Sequence, residues 1–449
     1  MTRLAVIGGG PAGMMAACTA AAQGISVTLL EKNEKLGKKL YITGKGRCNL
    51  TNNTDISGLM SHVISNPRFL HGAFNAMDAV SLMAFFEGKN VPLKTERGGR
   101  VFPVSDKAGD ITHALKTYLH AAGVKVMLNC EVQGVDIVDS AHGVRQPVLT
   151  AYTALDTQQD RGCMSPLFTI RTKAAAIQAD AVIIATGGLS YPSTGSTGDG
   201  YTWAKSLGHS LIPTHPSLVP LTAQEPWILP LAGLSLKNVR CTLRISKKIM
   251  FEDIGEMMFT PTGITGPLIL SASAYLAGKQ DAQPTIIIDL KPGLTAEQLD
   301  SRILRDFAAH QNKDFANALD GLLPQRLIET IISLSGIPPT KKIHTITRVE
   351  RQTLVHLFKN LTIHPTGTAG YKEAVITKGG VNTKDVNPST LMSKYVPGLF
   401  FAGEVLDIDA LTGGYNMQIA FSTGYLAGLS AAKFLGVPAM APQNSNECE

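Results

Sequence analysis

The 449-residue chain has little of what marks secreted, membrane-spanning or metal-holding proteins. Its six cysteines (Cys18, Cys48, Cys130, Cys163, Cys241 and Cys448) are scattered and include no CxxC pair. That scatter argues against a disulfide framework, a zinc site and a disulfide reductase, and fits reduced thiols in a cytoplasm. No window holds ~18 uninterrupted apolar residues, so no transmembrane helix is expected. No charged region followed by a long apolar region precedes the first strand, so no signal peptide is expected and a cytoplasmic protein is. Charged residues make up 17% of the chain and leave a net charge of +6. That balance permits an anionic ligand or nucleic acid without requiring one. There is no low-complexity tract, no repeat at a fixed period, no G-x-S-x-G nucleophile turn and no His/Asp/Glu cluster with metal spacing. No membrane or protein partner is suggested.

What is present begins at once. RLAVIGGGPAGMMAACTAAAQGISVTLLEK (residues 3–32) predicts an apolar strand ending at Ile7, then Gly8, Gly10 and Gly13 in a G-x-G-x-x-G spacing. A helix follows, with Pro11 in its first turn and Gly24 past its end, the favoured places for each. A second strand, Ile25 to Leu30, ends in Glu31, 18 residues after Gly13. Gly8 permits the tight turn, Gly10 lets the backbone approach a pyrophosphate, and Gly13 allows close helix–strand packing. The helix N-terminus offers N–H groups to the anion, and Glu31 can accept from ribose hydroxyls. The pattern predicts a dinucleotide site, the alternative being a glycine-rich structural turn.

Two further pieces choose between dinucleotides. VPGLFFAGEVLDIDALTGGYNMQIAFSTG (396–424) runs from a short strand into Gly403-Glu404, a loop with Asp407 and Asp409, Gly413-Gly414, and a helix from about Tyr415. This order resembles the C-terminal flavin motif of two-dinucleotide-binding flavoproteins, in which an acid near the strand end binds the ribityl chain. The helix N-terminus there faces the flavin pyrimidine and stabilises negative charge on it. AVIIATGGLSYPSTGSTGDGYTWA (181–204) ends a strand in Ala185-Thr186-Gly187-Gly188 and resembles the strand that returns past the cofactor in that class. A site built from both chain ends implies a large insertion. No second Rossmann domain for NAD(P)H is evident.

With these pieces in hand, GKKLYITGKGRCNLTN, GGRVFPVSDKA, ATGG and AGEVLDIDALTGGYNMQIAFSTGYLAG resemble the YhiN/BaiN/aminoacetone-oxidase-like family of FAD-containing bacterial flavoproteins, from residue 1 to about 435. The resemblance implies an α/β fold: a three-layer, Rossmann-like FAD domain interrupted by a β-rich and a small helical subdomain. The expected division is 1–205 and 370–449 for the FAD domain, 206–294 β-rich, 295–345 helical, and 346–369 returning to the β-rich part. Activities suggested for the family are amine oxidation, reduction of steroid-like substrates, and reduction of a uridine in large-subunit ribosomal RNA. Pro261 stands where the family commonly has histidine, and Ala410 where it commonly has glycine.

The resemblance implies non-covalent FAD held by Gly8, Gly10, Pro11, Ala12, Gly13, Glu31, Lys32, Lys39, Thr43, Gly46, Arg47, Cys48, Asn49, Val132, Thr186, Gly187, Gly188, Gly403, Glu404, Asp407, Gly413, Gly414, Tyr415 and Asn416. NAD(P)H would be a transient electron donor. Backbone N–H groups around Thr43 to Gly46 would serve the cofactor's oxygens, and Arg47 would add a charge-assisted hydrogen bond. Cys48 is either a general acid beside the flavin or a small packing residue. On the substrate side stand Arg100, Thr377, Gly379 and Gly380.

The insertion contains LKNVRCTLRIS (236–246), which alternates with Val239, Cys241, Leu243 and Ile245 on one face and Asn238, Arg240, Thr242 and Arg244 on the other. It predicts a half-buried strand. With Lys247 and Lys248 it carries five basic residues and no acid between 236 and 250, either a solvated face or a surface for RNA in which Arg240 and Arg244 reach phosphates. Across 291–362 ten Lys/Arg face seven Asp/Glu, too small a surplus to indicate nucleic-acid binding. Thr295 is placed to cap a helix opening AEQLDSRIL. His364, before a proline, is either an acid/base or structural. The expectation is a FAD-dependent oxidoreductase moving hydride through flavin N5, favoured as a reductase of a C=C bond such as that of a ribosomal RNA uridine. Alternatives are a small-amine oxidase, a reductase of a steroid-like substrate, and a non-enzymatic flavin-bearing binding protein.

Overall fold

The computed structural model describes residues 2–138, 167–279 and 283–436. Cys163 and Cys448 lie outside the described residues. The chain forms two compact units, Met1–Pro216 with Val375–Glu449, and Ser217–Ala374.

In the first unit the fold follows from four apolar strands buried on both faces. Thr2–Ile7 pairs in parallel with Val27–Leu30 on one side and Ala176–Ile184 on the other. Lys125–Met127 extends the sheet beyond Val27–Leu30, and Leu399–Phe401 pairs in parallel with the end of Ala176–Ile184. Near-continuous apolar runs such as Leu4 to Ile7 and Ala181 to Ile184 are almost fully buried, as strands of a covered parallel sheet must be. The start of Ala176–Ile184 instead pairs antiparallel with Leu167–Thr172, which pairs antiparallel with Val132–Val138. A separate antiparallel sheet joins Thr51–Asn52, Arg100–Pro103 and Leu93–Glu96.

The helix Pro11–Ala22 is apolar all round and nearly all buried. It packs on the C-terminal helix Tyr415–Phe434, and glycines make the approach possible. A Cβ at Gly424 would stand 2.3 Å from the carbonyl oxygen of Ala12, and one at Gly428 would stand 2.5 Å from that of Ala16. Among the described residues one stretch, Pro67–Glu87, is long and apolar enough to cross a membrane by length and composition alone. It is three short helices, interrupted where Asp78 caps Ala79–Glu87, and Leu70, Phe74, Leu82 and Phe86 are buried in the core of this unit.

The second unit is a seven-stranded sheet in the order Leu361–Ile363, Pro284–Asp289, Ser235–Ile245, Lys248–Thr260, Gly263–Thr265, Leu221–Ala223, Pro365–Thr368. The alternation read over 239–245 is present for Val239, Cys241 and Leu243, which are buried. It differs at two points. Asn238 adopts a left-handed φ of 52°, a bulge that puts both Leu236 and Val239 inside, and Thr242 is buried against Glu252, whose Oε2 accepts from its hydroxyl at 2.9 Å. Helix Ala296–Ala308 starts at Thr295 with a capping box to Gln298. Residues 346–369, expected as a return to the sheet, begin with another helix, Arg348–Lys359, whose Leu354, Val355 and Phe358 are buried and whose own capping box joins Thr347 to Glu350.

Candidate functional site

The glycine turn leaves open space before an acid-free helix start. Gly8 has φ +108°, and a Cβ there would meet the Ala185 carbonyl oxygen at 2.4 Å. A Cβ at Gly13 would stand 1.9 Å from the Gly8 carbonyl oxygen, so only glycine lets helix and strand close up. At Gly10 a Cβ would meet nothing within 4 Å. Open space lies there, before the helix begun by Pro11, whose first turn holds no acid and no side-chain cap. The N–H groups of Ala12 and Gly13 are thus among those a helix leaves without an internal partner.

Glu31 is 8% exposed, at the end of Val27–Leu30. Its Oε2 accepts from the Gly9 N–H at 2.7 Å, and its Oε1 accepts from Asn33 N at 2.8 Å and Nδ2 at 2.6 Å. The carboxylate therefore holds the glycine turn and the following loop, leaving one lone-pair direction on Oε2 for a hydroxyl. Lys32 is paired with Asp199 at 2.6 Å and with the Thr197 hydroxyl. Val132 is buried at the start of its strand, two residues after Cys130, whose N–H donates to the Glu31 carbonyl at 2.9 Å.

The loop 38–52 becomes a short 3-10 helix, Leu40–Gly46, then the strand Thr51–Asn52. Thr43 turns its hydroxyl to the Leu40 carbonyl at 2.7 Å, and Gly46 has φ +85° with only the Tyr41 carbonyl oxygen near a would-be Cβ, at 3.8 Å. Arg47 is not left for an anion. It pairs with Glu96 and with Asp106 at 2.7 Å, and its guanidinium lies 4.0 Å over the Phe102 ring. Cys48 is fully buried at φ +58°, and burial pushes its thiol up to about 12, opposed only by a hydrogen bond with Thr43. It is a neutral thiol in a strained backbone position. Beside it, the buried Oδ1 of Asn49 has no partner.

The far pieces converge on one carboxylate that the sequence motif assigns only to the ribityl chain. Glu404 accepts from Lys39 Nζ at 2.6 Å, from the Ser190 hydroxyl at 2.5 Å and from the Thr377 N–H at 2.8 Å. Lys39 also donates to the Ser190 hydroxyl at 2.6 Å. The Thr377 hydroxyl in turn accepts from Leu189 N at 2.8 Å, and a Cβ at Gly188 would lie 2.4 Å from it. Thr186, whose Cα would be 3.1 Å from a Cβ at Gly8, buries a hydroxyl without a partner. Gly187, Gly379, Gly380 and Gly403 all adopt positive φ, and Gly379 and Gly380 run against the carbonyls of Pro213 and Val405.

Asp407 is 9% exposed; burial raises its pKa, while the Asn66 amide, donating to Oδ2 at 2.9 Å, opposes the shift. Gly413 (φ +127°) and Gly414 (φ +102°) lead into the C-terminal helix, whose first turn also lacks an acid. A Cβ at Gly414 would stand 2.3 Å from the Thr51 carbonyl oxygen. Asn416 ties the preceding loop, donating to the Ala410 carbonyl at 2.8 Å and accepting from its N–H at 3.0 Å. Tyr415 stacks on His62 with ring centroids 4.2 Å apart. Ser190, Asn52, Asn66 and His62 are given no role by a reading of the sequence. Ser190 lies within the block 181–204 and Asn52 ends the block 37–52, which is the only signal for those two, and no motif contains Asn66 or His62.

Arg100 donates Nε to the Arg97 carbonyl at 3.1 Å and is 3.9 Å from Glu96. Arg240 lies 3.9 Å from Glu252, Arg244 is exposed, and both belong to the Ser217–Ala374 unit. In that unit His364 offers Nδ1 to Glu225 Oε1 at 3.0 Å, and Pro261 sits in the tight turn between Lys248–Thr260 and Gly263–Thr265. The residues of the first unit fit a dinucleotide: open space at Gly10, two helix N-termini free of acids, and unpartnered acceptors at Asn49 and Thr186.

Residues 2–430 match the family described as HI0933-like protein Rossmann domain. The chain is 31% identical over 441 residues to the 3-dehydro-bile acid delta(4,6)-reductase of Clostridium scindens, covering 96% of this chain and 100% of that one. It is 32% identical over 436 residues to the ribosomal RNA dihydrouridine synthase of Haemophilus influenzae, covering 95% and 98%. To the ribosomal RNA dihydrouridine synthase of Escherichia coli it is 29% identical over 422 residues, covering 94% and 95%.

Proposed function

The chain belongs to the HI0933-like family of flavin-dependent oxidoreductases, and from that premise we propose that it binds FAD non-covalently and reduces a C=C bond, a uridine of large-subunit ribosomal RNA being the favoured substrate. The observation that carries the cofactor assignment is the pairing of open space at Gly10 with the acid-free N-terminus of Pro11–Ala22, where a pyrophosphate is stabilised by N–H groups and helix dipole. Glu31 holds the adenosine ribose through its remaining acceptor direction, and Asn49 and Thr186 supply further polar groups. Gly413 and Gly414 would let the start of the C-terminal helix come close to the flavin ring. Bound there, FAD supplies hydride donation and acceptance at its ring N5.

The chain's own residues orient that ring and keep water out. Glu404 is held by Lys39, Ser190 and Thr377, so the strand ends 186–190, 377–380 and 403–407 form one rigid wall. Electrons come from NAD(P)H as a transient donor. A steroid-like substrate is the second reading, favoured by the 31% identity to a bile acid reductase over the whole of that chain. The experiment is reduction of the purified yellow protein by NADPH or NADH under argon. Re-oxidation is then followed with a ribosomal RNA fragment, with a 3-oxo-4-ene steroid, and with air. Re-oxidation by RNA alone, with loss of uridine absorbance, is expected; rapid re-oxidation by air and inertness to both unsaturated substrates would reject the reductase reading.

A further inference from the structure

The turn Arg97-Gly98-Gly99 joins the paired residues Glu96 and Arg100 at the end of the hairpin formed by Leu93–Glu96 and Arg100–Pro103. Both glycines are left-handed, with φ of 78° and 72°, which sets the tight reversal. The turn is anchored firmly. Asn52 Nδ2 donates to the Gly98 carbonyl at 2.9 Å and to the Gly413 carbonyl at 3.1 Å. The Asn53 N–H donates to the Gly99 carbonyl at 2.6 Å, and a Cβ at Gly99 would stand 2.4 Å from Asn52 Oδ1. One side chain therefore clamps the hairpin tip to the Gly413-Gly414 loop that approaches the flavin ring.

The charge on this tip is not balanced. Four cations on and beside the hairpin, Arg47, Lys94, Arg97 and Arg100, share two carboxylates, Glu96 and Asp106. Arg47 pairs with both, and Lys94 takes Asp106 at 2.7 Å. Arg100 keeps a 3.9 Å approach to Glu96, a single hydrogen bond to the Arg97 carbonyl and a guanidinium 5.9 Å from the centroid of the Phe102 ring, with its side chain 43% exposed. Arg97 is exposed and its side chain has no partner among the described residues. Arg97 on the turn and Arg100 at the strand start beside it carry guanidinium groups able to take phosphate oxygens bidentately, and the backbone that carries them has already lost the freedom that binding would otherwise cost.

We infer that Arg97 and Arg100 form a phosphate-binding fork that holds the anionic partner of the reaction beside the flavin ring. The inference rests on the flavin reading of the Gly413-Gly414 loop. The chemistry recognised is a phosphate or pyrophosphate, whose source is either the dinucleotide electron donor or the backbone of an RNA substrate.

The test uses the flavin-loaded protein and the Arg97→Ala/Arg100→Ala variant, with flavin content read from visible absorbance. One arm follows anaerobic flavin reduction by NADPH and by NADH against concentration. The other measures anisotropy of a fluorescent single-stranded ribo-oligonucleotide across a salt series. At least a tenfold rise in apparent Kd is expected in one arm, and which arm changes identifies the source. In the RNA arm the salt slope should also flatten by about 0.7 for each phosphate no longer neutralised. A flavin-loaded variant within twofold of wild type in both arms overturns the fork while leaving the flavin reading standing. A wild-type protein that neither carries nor takes up flavin overturns both. If the double variant does not fold, Arg97→Glu alone replaces it, since that side chain is exposed and supports nothing; it is expected to change one arm at least tenfold, and no change overturns the fork.

Discussion

Lys39 Nζ donates to Glu404 Oε2 at 2.6 Å, joining positions 365 residues apart in the chain. Their side chains are 19% and 13% exposed, so the pair is shielded from solvent screening. The same carboxylate fixes Ser190 and Thr377, and the four residues come from four separate segments. One charge pair thus carries the register of the wall assigned to the flavin.

Lys39→Met should lower stability by about 1.5–3 kcal/mol, because Glu404 would keep its burial and lose its charged partner. Urea denaturation reads this directly. Lys39→Met/Glu404→Gln should recover part of the loss, since no isolated charge is then buried. An unchanged urea midpoint in the single variant would show that the pair contributes nothing.

Gly10→Val should give a folded, colourless protein. The position has φ −78° and no protein atom within 4 Å of a Cβ, so the fold tolerates a side chain that the cofactor's pyrophosphate does not. Gly13→Ala should behave differently and destabilise the fold itself, for its Cβ would stand 1.9 Å from a carbonyl oxygen. Circular dichroism and flavin absorbance separate the two effects. Stoichiometric flavin in Gly10→Val would remove the pyrophosphate from this turn.

Cys48 should resist iodoacetamide in the native protein at pH 8. With its thiol pushed up to about 12 by burial, roughly one molecule in ten thousand carries the reactive thiolate there. Mass spectrometry should find it alkylated only after denaturation. Rapid native labelling would mean that the site opens to solvent and that burial does not hold the thiol neutral.

Stability should fall as pH drops below about 6.5. His209 is 3% exposed, with Nε2 2.8 Å from the Ser393 hydroxyl and Nδ1 3.2 Å from the Ala204 carbonyl. Burial holds its pKa below the ordinary 6.5, against the opposing pull of the Ala204 carbonyl and Asp385. Below that value the unfolded chain binds a proton that the folded chain refuses, so its contribution is present above pH 6.5 and lost on acidification. His209→Gln should flatten the slope of unfolding free energy between pH 6.5 and 5 by up to about 1.4 kcal/mol per pH unit. An identical slope in the variant would exclude His209 as its source.

The sequence by itself determined the parts of this protein that are local. The run Leu4 to Ile7, the spacing of Gly8, Gly10 and Gly13, Pro11 at the helix start and Glu31 at the next strand end are read within thirty residues, because strand periodicity, turn dihedrals and helix ends are short-range physics. Thr295 announces its helix in the same way. Long-range partners are not legible. Arg47 reads as a hydrogen-bond donor to the cofactor, yet folding brings Glu96 and Asp106 to it. Cys48 reads equally as a general acid or a small packing residue, and only folding buries it and raises its pKa. The alternation over 236–246 cannot reveal the bulge at Asn238, because the bulge is set by the strand opposite it. Only the tertiary structure decided that Asn52 would clamp Gly98 to Gly413, and that Lys39, Ser190 and Thr377 would converge on the carboxylate of Glu404. A hydrogen bond depends on two positions at once, and the chain's sequence orders only neighbours.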